Sequence, residues 1–132
     1  MIWAEAVDDL LRVNLAGLEQ VYDKYKRPNK KLIAMEDAVR IFHQHSAVDI
    51  TEPQAKFAYG MSKQTVIDES RASDTRGYLV MELCEFLEMI CRVALAKFKG
   101  SDLETLSLPQ KVEFVLDDLL ALVGLERKEV TA

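Results

Sequence analysis

Apolar residues recur at steps of three and four along most of the chain, which is the spacing of one face of an α-helix. The pattern predicts five helices, over residues 3–25, 35–45, 51–66, 81–99 and 107–123. Strict alternation of apolar and polar residues, which indicates a half-buried strand, is almost absent. The sequence therefore predicts an all-α fold.

Several helix boundaries carry capping signals. Thr51 with Gln54, and Ser107 with Gln110, have the spacing of a capping box, and each pair encloses a proline in the first turn. Gly124 is placed to end the last helix in a left-handed conformation. The charged, small residues over 68–77 predict a loop after the third helix.

Two helices have informative apolar faces. The third is expected to bury one face, made of Ala55, Phe57, Ala58, Met61, Thr65 and Val66. The fourth is apolar around most of its circumference, and only a stripe through Glu85, Glu88 and Arg92 is polar. We expect these carboxylates, like the others in the chain, to face solvent. Because a helix that is apolar on two sides needs neighbours on both, we expect the fifth helix to cover one of them.

Composition narrows the class of protein. With 132 residues, 49% of them hydrophobic, the chain has the size and the apolar content of one domain spanning residues 1–132. The 30% of charged residues exclude a transmembrane or collagen-like chain, and a net charge of -5 disfavours binding to nucleic acid. The N-terminal stretch contains Glu5, Asp8 and Asp9, which argues against a secretory signal and for a cytoplasmic protein.

Candidate catalytic and metal-binding residues are few. Cys84 and Cys91 lie seven residues apart on one predicted helix, so their α-carbons are about 10 Å apart, beyond the roughly 7 Å limit for a disulfide. We expect them to be reduced thiols in the core. His43 and His45 point to different helix faces, which disfavours a shared metal. The basic run over 26–31 is interpreted as a solvated loop. From these residues we predict neither an enzyme nor a bound cofactor.

The first two helices flank a segment that resembles an EF-hand, the helix-loop-helix unit that binds calcium through oxygen ligands. Tyr22 and Tyr25 stand where the family closes its first helix with aromatic residues, and Ile33 stands at the aliphatic position of the short loop strand. On this register the ligand positions hold Lys26, Pro28, Lys30 and Asp37. Because cationic side chains repel calcium, we expect no metal in this loop.

The second half resembles a second EF-hand. The run Met81-Glu82-Leu83-Cys84-Glu85-Phe86-Leu87 is similar to the end of the family's loop, with Glu85 as the bidentate ligand. Counting back puts Asp74 at the first ligand position and Glu82 at the ninth. The positions between them hold Arg76 and Tyr78, and Leu79 stands where the family has glycine. A calcium-responsive sensor that uses Asp74, Glu82 and Glu85 remains the alternative to a metal-free loop.

The resemblance implies two degenerate hands, over residues 11–46 and 51–99, with at most a minimal two-stranded pairing between their loops. A C-terminal helix over 107–125 packs on them. Three strings, over residues 21–25, 35–38 and 85–94, resemble EF-hand-like segments of large ciliary and flagellar proteins. This resemblance implies a non-catalytic interaction or structural module of the cytoplasm, cilium or cytoskeleton. The implied partner is a protein, either an amphipathic helix or a larger cytoskeletal assembly, and not a membrane.

The candidate partner-binding residues line the apolar groove that paired hands form. They are Trp3, Val7, Phe86, Ile90, Val115, Leu119 and Leu122. The chain can also fill this groove itself, with its fifth helix or with the N-terminal segment that carries Trp3 and Val7. In that case a partner uses another surface or displaces the covering segment.

Overall fold

The structure is a computed structural model that describes residues 5–26, 32–66 and 80–130. Its elements are α1 (Glu5–Val13), α2 (Leu15–Tyr25), β1 (Ile33–Ala34), α3 (Met35–Arg40), α4 (Glu52–Val66), β2 (Val80–Met81), α5 (Leu83–Phe98) and α6 (Leu108–Leu120). A π-helical turn, Ile41–His45, extends α3, and a 3-10 turn, Ala121–Val123, extends α6. This mostly helical content confirms the all-α class. Within the described ranges, no helix has the length and apolar character needed to cross a bilayer. The predicted loop over 68–77 lies outside these ranges.

The continuous first helix expected over 3–25 is wrong, because the helix breaks at Asn14. The buried Asn14 side chain donates from Nδ2 to the carbonyls of Leu10, at 3.0 Å, and Lys128, at 3.1 Å. Its Oδ1 accepts the backbone N–H of Lys128 at 2.7 Å. Side-chain bonds of this kind compete with the helical backbone ladder. Asn14 therefore ends α1 and ties the C-terminal segment to it.

The predicted caps are confirmed. Thr51 Oγ1 accepts the N–H of Gln54 at 3.2 Å, and the Gln54 side chain accepts the N–H of Thr51 at 2.9 Å. Ser107 and Gln110 make the same reciprocal bonds at 3.4 and 3.1 Å. Gly124 has φ +70°, a left-handed conformation that suits glycine.

The two short strands form one antiparallel pair, in which Ile33 lies opposite Met81 and Ala34 opposite Val80. Tyr22 of α2 lies across this pair. Its hydroxyl donates to the carbonyl of Met81 at 2.7 Å and accepts the N–H of Ile33 at 3.3 Å. Burial raises the pKa of Tyr22, so the phenol is neutral and available as a donor. The pair of strands thus connects the segment after α2 with the segment that leads into α5.

Helix α5 has helices on two sides, as its apolar pattern predicts. It packs against α4 on one side and against α6 on the other, and α6 also contacts α1 and α2. The buried apolar residues of α5 are Phe86, Met89, Ile90, Cys91, Val93, Ala94 and Phe98. Those of α6 are Val112, Val115, Leu116, Leu119 and Leu120. The C-terminal helix therefore docks on the chain itself.

The expected apolar face of α4 is partly wrong. Phe57 is 69% exposed, whereas Tyr59 is completely buried. The buried stripe follows Ala55, Ala58 and Tyr59. Because α4 packs along α5 with these residues, Phe57 is turned away from the core.

We predict that Asn14→Ala lowers the free energy of unfolding by about 1–3 kcal/mol, because the Lys128 amide and two carbonyls lose their partner. Urea denaturation measures the loss. Exchange of the Lys128 amide proton should also become faster in this variant. Gln20→Ala removes an exposed amide from α2 and serves as the control, with a change within about 0.5 kcal/mol. An unchanged exchange rate at Lys128 in Asn14→Ala would contradict the assignment.

Candidate functional site

A buried ion pair joins α4 to the start of α5. The ammonium of Lys63 lies 2.9 Å from Oε1 and 2.9 Å from Oε2 of Glu85. The two side chains are only 4% and 3% exposed. A charge this deep is costly unless it is paired, so each of these groups makes the burial of the other possible.

Glu85 has a second role at the N-terminus of α5. Its Oε1 also accepts the backbone N–H of Glu82 at 2.8 Å, and the two residues form a reciprocal capping box. One carboxylate therefore accepts both the N–H of Glu82, at the N-cap of α5, and the ammonium from α4. Since β2 ends immediately before Glu82, the ion pair also lies next to the two-stranded sheet.

The expectation that Glu85 and Glu88 form a solvent-exposed stripe is wrong. Both are buried, with 2% and 1% exposure. Glu88 accepts a bond from the guanidinium of Arg92 at 3.3 Å, but it does so from inside the fold. Both carboxylates lie inside because α5 is enclosed by its neighbours and each acid has a cation within reach.

One sequence signal could have identified this pair. Lys63 follows Tyr59 by four residues and therefore continues the buried stripe of α4. A lysine on an apolar stripe needs an acidic partner from another element. The acid is 22 residues away along the chain, and helical periodicity carries no information about such a distance.

The three residues of the alternative calcium site have different surroundings. Glu85 holds Lys63, Glu82 is exposed, and Asp74 lies outside the described residues. In the parts of the chain that the structure describes, no three His, Cys, Asp or Glu residues are grouped so that they could hold a metal ion. His43 and His45 point apart: His43 Nδ1 lies 2.9 Å from the carbonyl of Ile50, and His45 stacks on Tyr25.

The candidate partner-binding residues mostly lie in the core. Five of them are buried, namely Val7, Phe86, Ile90, Val115 and Leu119. Leu122 is half-buried, and Trp3 lies outside the described residues. A partner would reach the five buried residues only after α1 or α6 is displaced, so their role in binding stays a prediction.

A different apolar surface is open to solvent. We call it the α4–α5 groove, a cavity of about 480 Å³ lined by Pro53, Phe57 and Ala58 on one side and by Arg92, Leu95 and Lys99 on the other. Phe57 is 69% exposed and Leu95 40%. Sequence reasoning placed both side chains against the protein, and so missed this surface.

The two cysteines differ, so the expectation of two core thiols is wrong for one of them. Cys84 is exposed and Cys91 is buried, and both are free. Burial, with the nearby carboxylates of Glu88 and Asp8, raises the pKa of Cys91 to about 12. Partial burial and the charge of Glu82 also raise the pKa of Cys84.

We predict that Lys63→Met lowers the free energy of unfolding by about 3–5 kcal/mol, because it leaves the buried Glu85 carboxylate without its counter-charge. Lys56→Met is a matched control. Lys56 also lies on α4 and is also 2.9 Å from a carboxylate, that of Glu52, but this pair is more than half exposed. Its loss should cost less than about 1 kcal/mol.

Chemical denaturation of both variants measures the difference. The double variant Lys63→Met/Glu85→Gln removes both charges and should recover part of the stability lost by Lys63→Met. Equal losses for Lys63→Met and Lys56→Met would show that burial adds nothing to the strength of the inner pair.

We predict that a thiol reagent such as Ellman's reagent modifies one cysteine of the folded chain, Cys84, and reaches Cys91 only after unfolding. The rate at Cys84 should rise about tenfold per pH unit from pH 7 to 8, because its raised pKa keeps the thiolate a minor species there. Cys84→Ser should abolish the fast reaction. A fast reaction that persists in Cys84→Ser would contradict the burial of Cys91.

Comparisons with known proteins add no relative: no family model matches the chain, and neither a curated protein nor a solved structure is similar to it. Any inference about function therefore starts from the chain's own features. The two most informative are the buried Lys63–Glu85 ion pair and the α4–α5 groove.

Proposed function

We propose that the chain is a non-catalytic, calcium-independent EF-hand-like module that binds another protein. The observation that carries the proposal is the Lys63 ammonium, which lies 2.9 Å from both oxygens of Glu85. Glu85 is the residue to which the resemblance assigns bidentate binding of calcium. At about 4 Å and an effective dielectric constant of about 20, each unit of added positive charge is repelled by about 4 kcal/mol. The Lys63 ammonium therefore disfavours the binding of a calcium ion from solution at Glu85.

The strand pairing supports the EF-hand-like part of the proposal. On the register of the resemblance, Ile33 and Met81 each stand at the eighth position of their loop, counted from Lys26 and Asp74. These two residues face each other in the antiparallel pair. An antiparallel contact at equivalent loop positions is the contact expected between two paired helix-loop-helix units, and Tyr22 bonds to both strands of it.

Lys26 supports a metal-free first loop in the same way. Its ammonium lies 3.1 Å from Asp23, on the preceding turn of α2, and it stands at the first ligand position of that loop. Positive charge therefore stands at a ligand position of the first loop and against the principal ligand of the second.

Binding to a protein is supported by the α4–α5 groove. Large apolar side chains exposed next to one another frequently mark an interaction surface. Helix α6 also packs on α5, and among the described residues the groove between α4 and α5 is open to a partner. The resemblance to ciliary and flagellar segments suggests a cytoskeletal or ciliary assembly as the setting.

We predict that calorimetric titration of the whole chain with calcium gives no saturable heat up to millimolar concentration. The midpoint of thermal unfolding should be the same in calcium and in EDTA, because a cation that does not bind the folded state cannot stabilise it. Saturation at micromolar calcium that disappears in Glu85→Gln, but not in the control Glu52→Gln on the exposed pair, would instead establish the calcium sensor.

A further inference from the structure

We propose that the C-terminal segment over 126–130, which we call the strap, occupies a binding site for an extended, arginine-containing segment of another protein. The strap is then a built-in competitor, and a partner binds where it displaces the strap. The site consists of Asn14, at the junction of α1 and α2, and of one face of α6. The inference is therefore independent of the α4–α5 groove and of calcium binding.

The strap is held as a bound peptide is held. It has no regular secondary structure. Asn14 Oδ1 accepts the N–H of Lys128 at 2.7 Å, and Asn14 Nδ2 donates to the carbonyl of the same residue at 3.1 Å. The N–H and the carbonyl of one residue point to the same side when the backbone is extended, as in an antiparallel ladder. Asn14 therefore binds the main chain of an extended segment, whatever its side chain is.

One side chain of the strap, Arg127, is recognised by its charge. Its Nε donates to Asp117 at 2.9 Å, and its Nη1 lies 3.6 Å from Glu113. These two acids stand four residues apart on α6 and share one face. The Arg127 side chain is only 16% exposed, whereas its neighbours Glu126 and Lys128 are exposed residues. The site thus selects arginine at one position and tolerates other residues beside it.

The site keeps its shape without the strap. Asn14 is 3% exposed, and its Nδ2 also donates to the carbonyl of Leu10 at 3.0 Å. This second bond holds the amide in place when Lys128 leaves. The two acids lie on a helix whose position is set by its own buried apolar residues. A partner therefore meets a preorganised site, which lowers the cost of binding.

The strap itself is weakly held. Its residues other than Arg127 are exposed, and the carboxylates of Glu113, Asp117 and Glu129 that contact Arg127 are 37%, 50% and 75% exposed. Ion pairs this exposed contribute little and are screened by salt. Gly124, two residues before the strap, permits the backbone rotation that release requires.

The contacts favour a different protein over a second copy as the partner. The strap of a second copy makes only the contacts that the chain's own strap already makes. A tethered segment has an effective concentration on the order of mM, so an identical free segment does not displace it at lower concentrations. A different protein displaces the strap when it adds contacts outside the site.

The probe is a synthetic peptide with the sequence of residues 125–130, added to the full 132-residue chain. Arg127→Glu gives a released strap, because Asp117 and Glu113 repel the new carboxylate. We expect the peptide to bind this variant at least about tenfold more tightly than the wild type, in which the strap competes. The NMR signals of the Asn14 side-chain amide report binding at the site. In Arg127→Glu the peptide should move them towards their wild-type positions.

Arg40→Glu is the matched control. Arg40 also lies near two carboxylates, those of Glu36 and Asp37, but on α3. Its replacement should leave the affinity for the peptide within about twofold of wild type. Arg127→Ala gives a second released form without added repulsion, and circular dichroism verifies that the helices of each variant are intact.

Two further changes test the recognition of arginine. Adding Asp117→Lys to the Arg127→Ala chain should reduce peptide binding at least about tenfold, because the guanidinium then meets a positive charge. A peptide with glutamate in place of its arginine should not bind the Arg127→Ala chain.

Four results would overturn the inference. They are no peptide binding to either released form, equal binding to the released forms and the wild type, and binding that survives Asp117→Lys. The fourth is a wild-type dimer in sedimentation that Arg127→Glu dissociates, which would assign the site to the strap of a second copy.

Discussion

The enclosure of α5 is the constraint on which the rest of the structure depends. Its buried residues lie on more than one side of the helix, and burying them needs α4 on one side and α6 on the other. Because each buried large apolar side chain contributes about 1.5–3 kcal/mol, the enclosure of α5 supplies a large share of the favourable free energy of folding. Helices α1 and α2 then cover α6, and Tyr22 closes the joint between the two strands.

Charges within this enclosure constrain how α4 meets α5. Interdigitated apolar side chains already resist sliding of α4 along α5, and the Lys63 ammonium must in addition lie within hydrogen-bond distance of the Glu85 carboxylate. Since Glu85 also caps α5, a slide would cost both the ion pair and the cap. The pair thus selects one register, and with it the spacing of Phe57 and Leu95 across the groove.

Local features were predictable from the sequence, whereas the individual side-chain contacts between distant residues were not. The capping pairs Thr51–Gln54 and Ser107–Gln110 act within three residues, so a short string contains all the information. The break at Asn14 depends on Lys128, and the burial of Glu85 depends on Lys63, partners 114 and 22 residues away.

Which side of a helix is buried is also hard to predict, because it depends on neighbours that are distant in the sequence. Phe57 and Tyr59 are both aromatic and lie two positions apart, and the small residues Ala55 and Ala58 decide which of them faces α5. The two thiols of α5 likewise differ in exposure. Cys84 is exposed and Cys91 is buried, because the neighbouring elements cover only the second. The EF-hand resemblance and the identity of a partner stay predictions, because they concern molecules other than this chain.

The contact between the two ends of the chain has a consequence for the order of folding. Val7 of α1 is completely buried, and α1 packs against α6, about a hundred residues later in the sequence. During synthesis α1 is made before α6 and Lys128, so the side chains of α1 that pack on α6 have no partner there until α6 follows. The packing of α1 therefore depends on residues that follow it by about a hundred positions, so α1 is expected to join the folded core late.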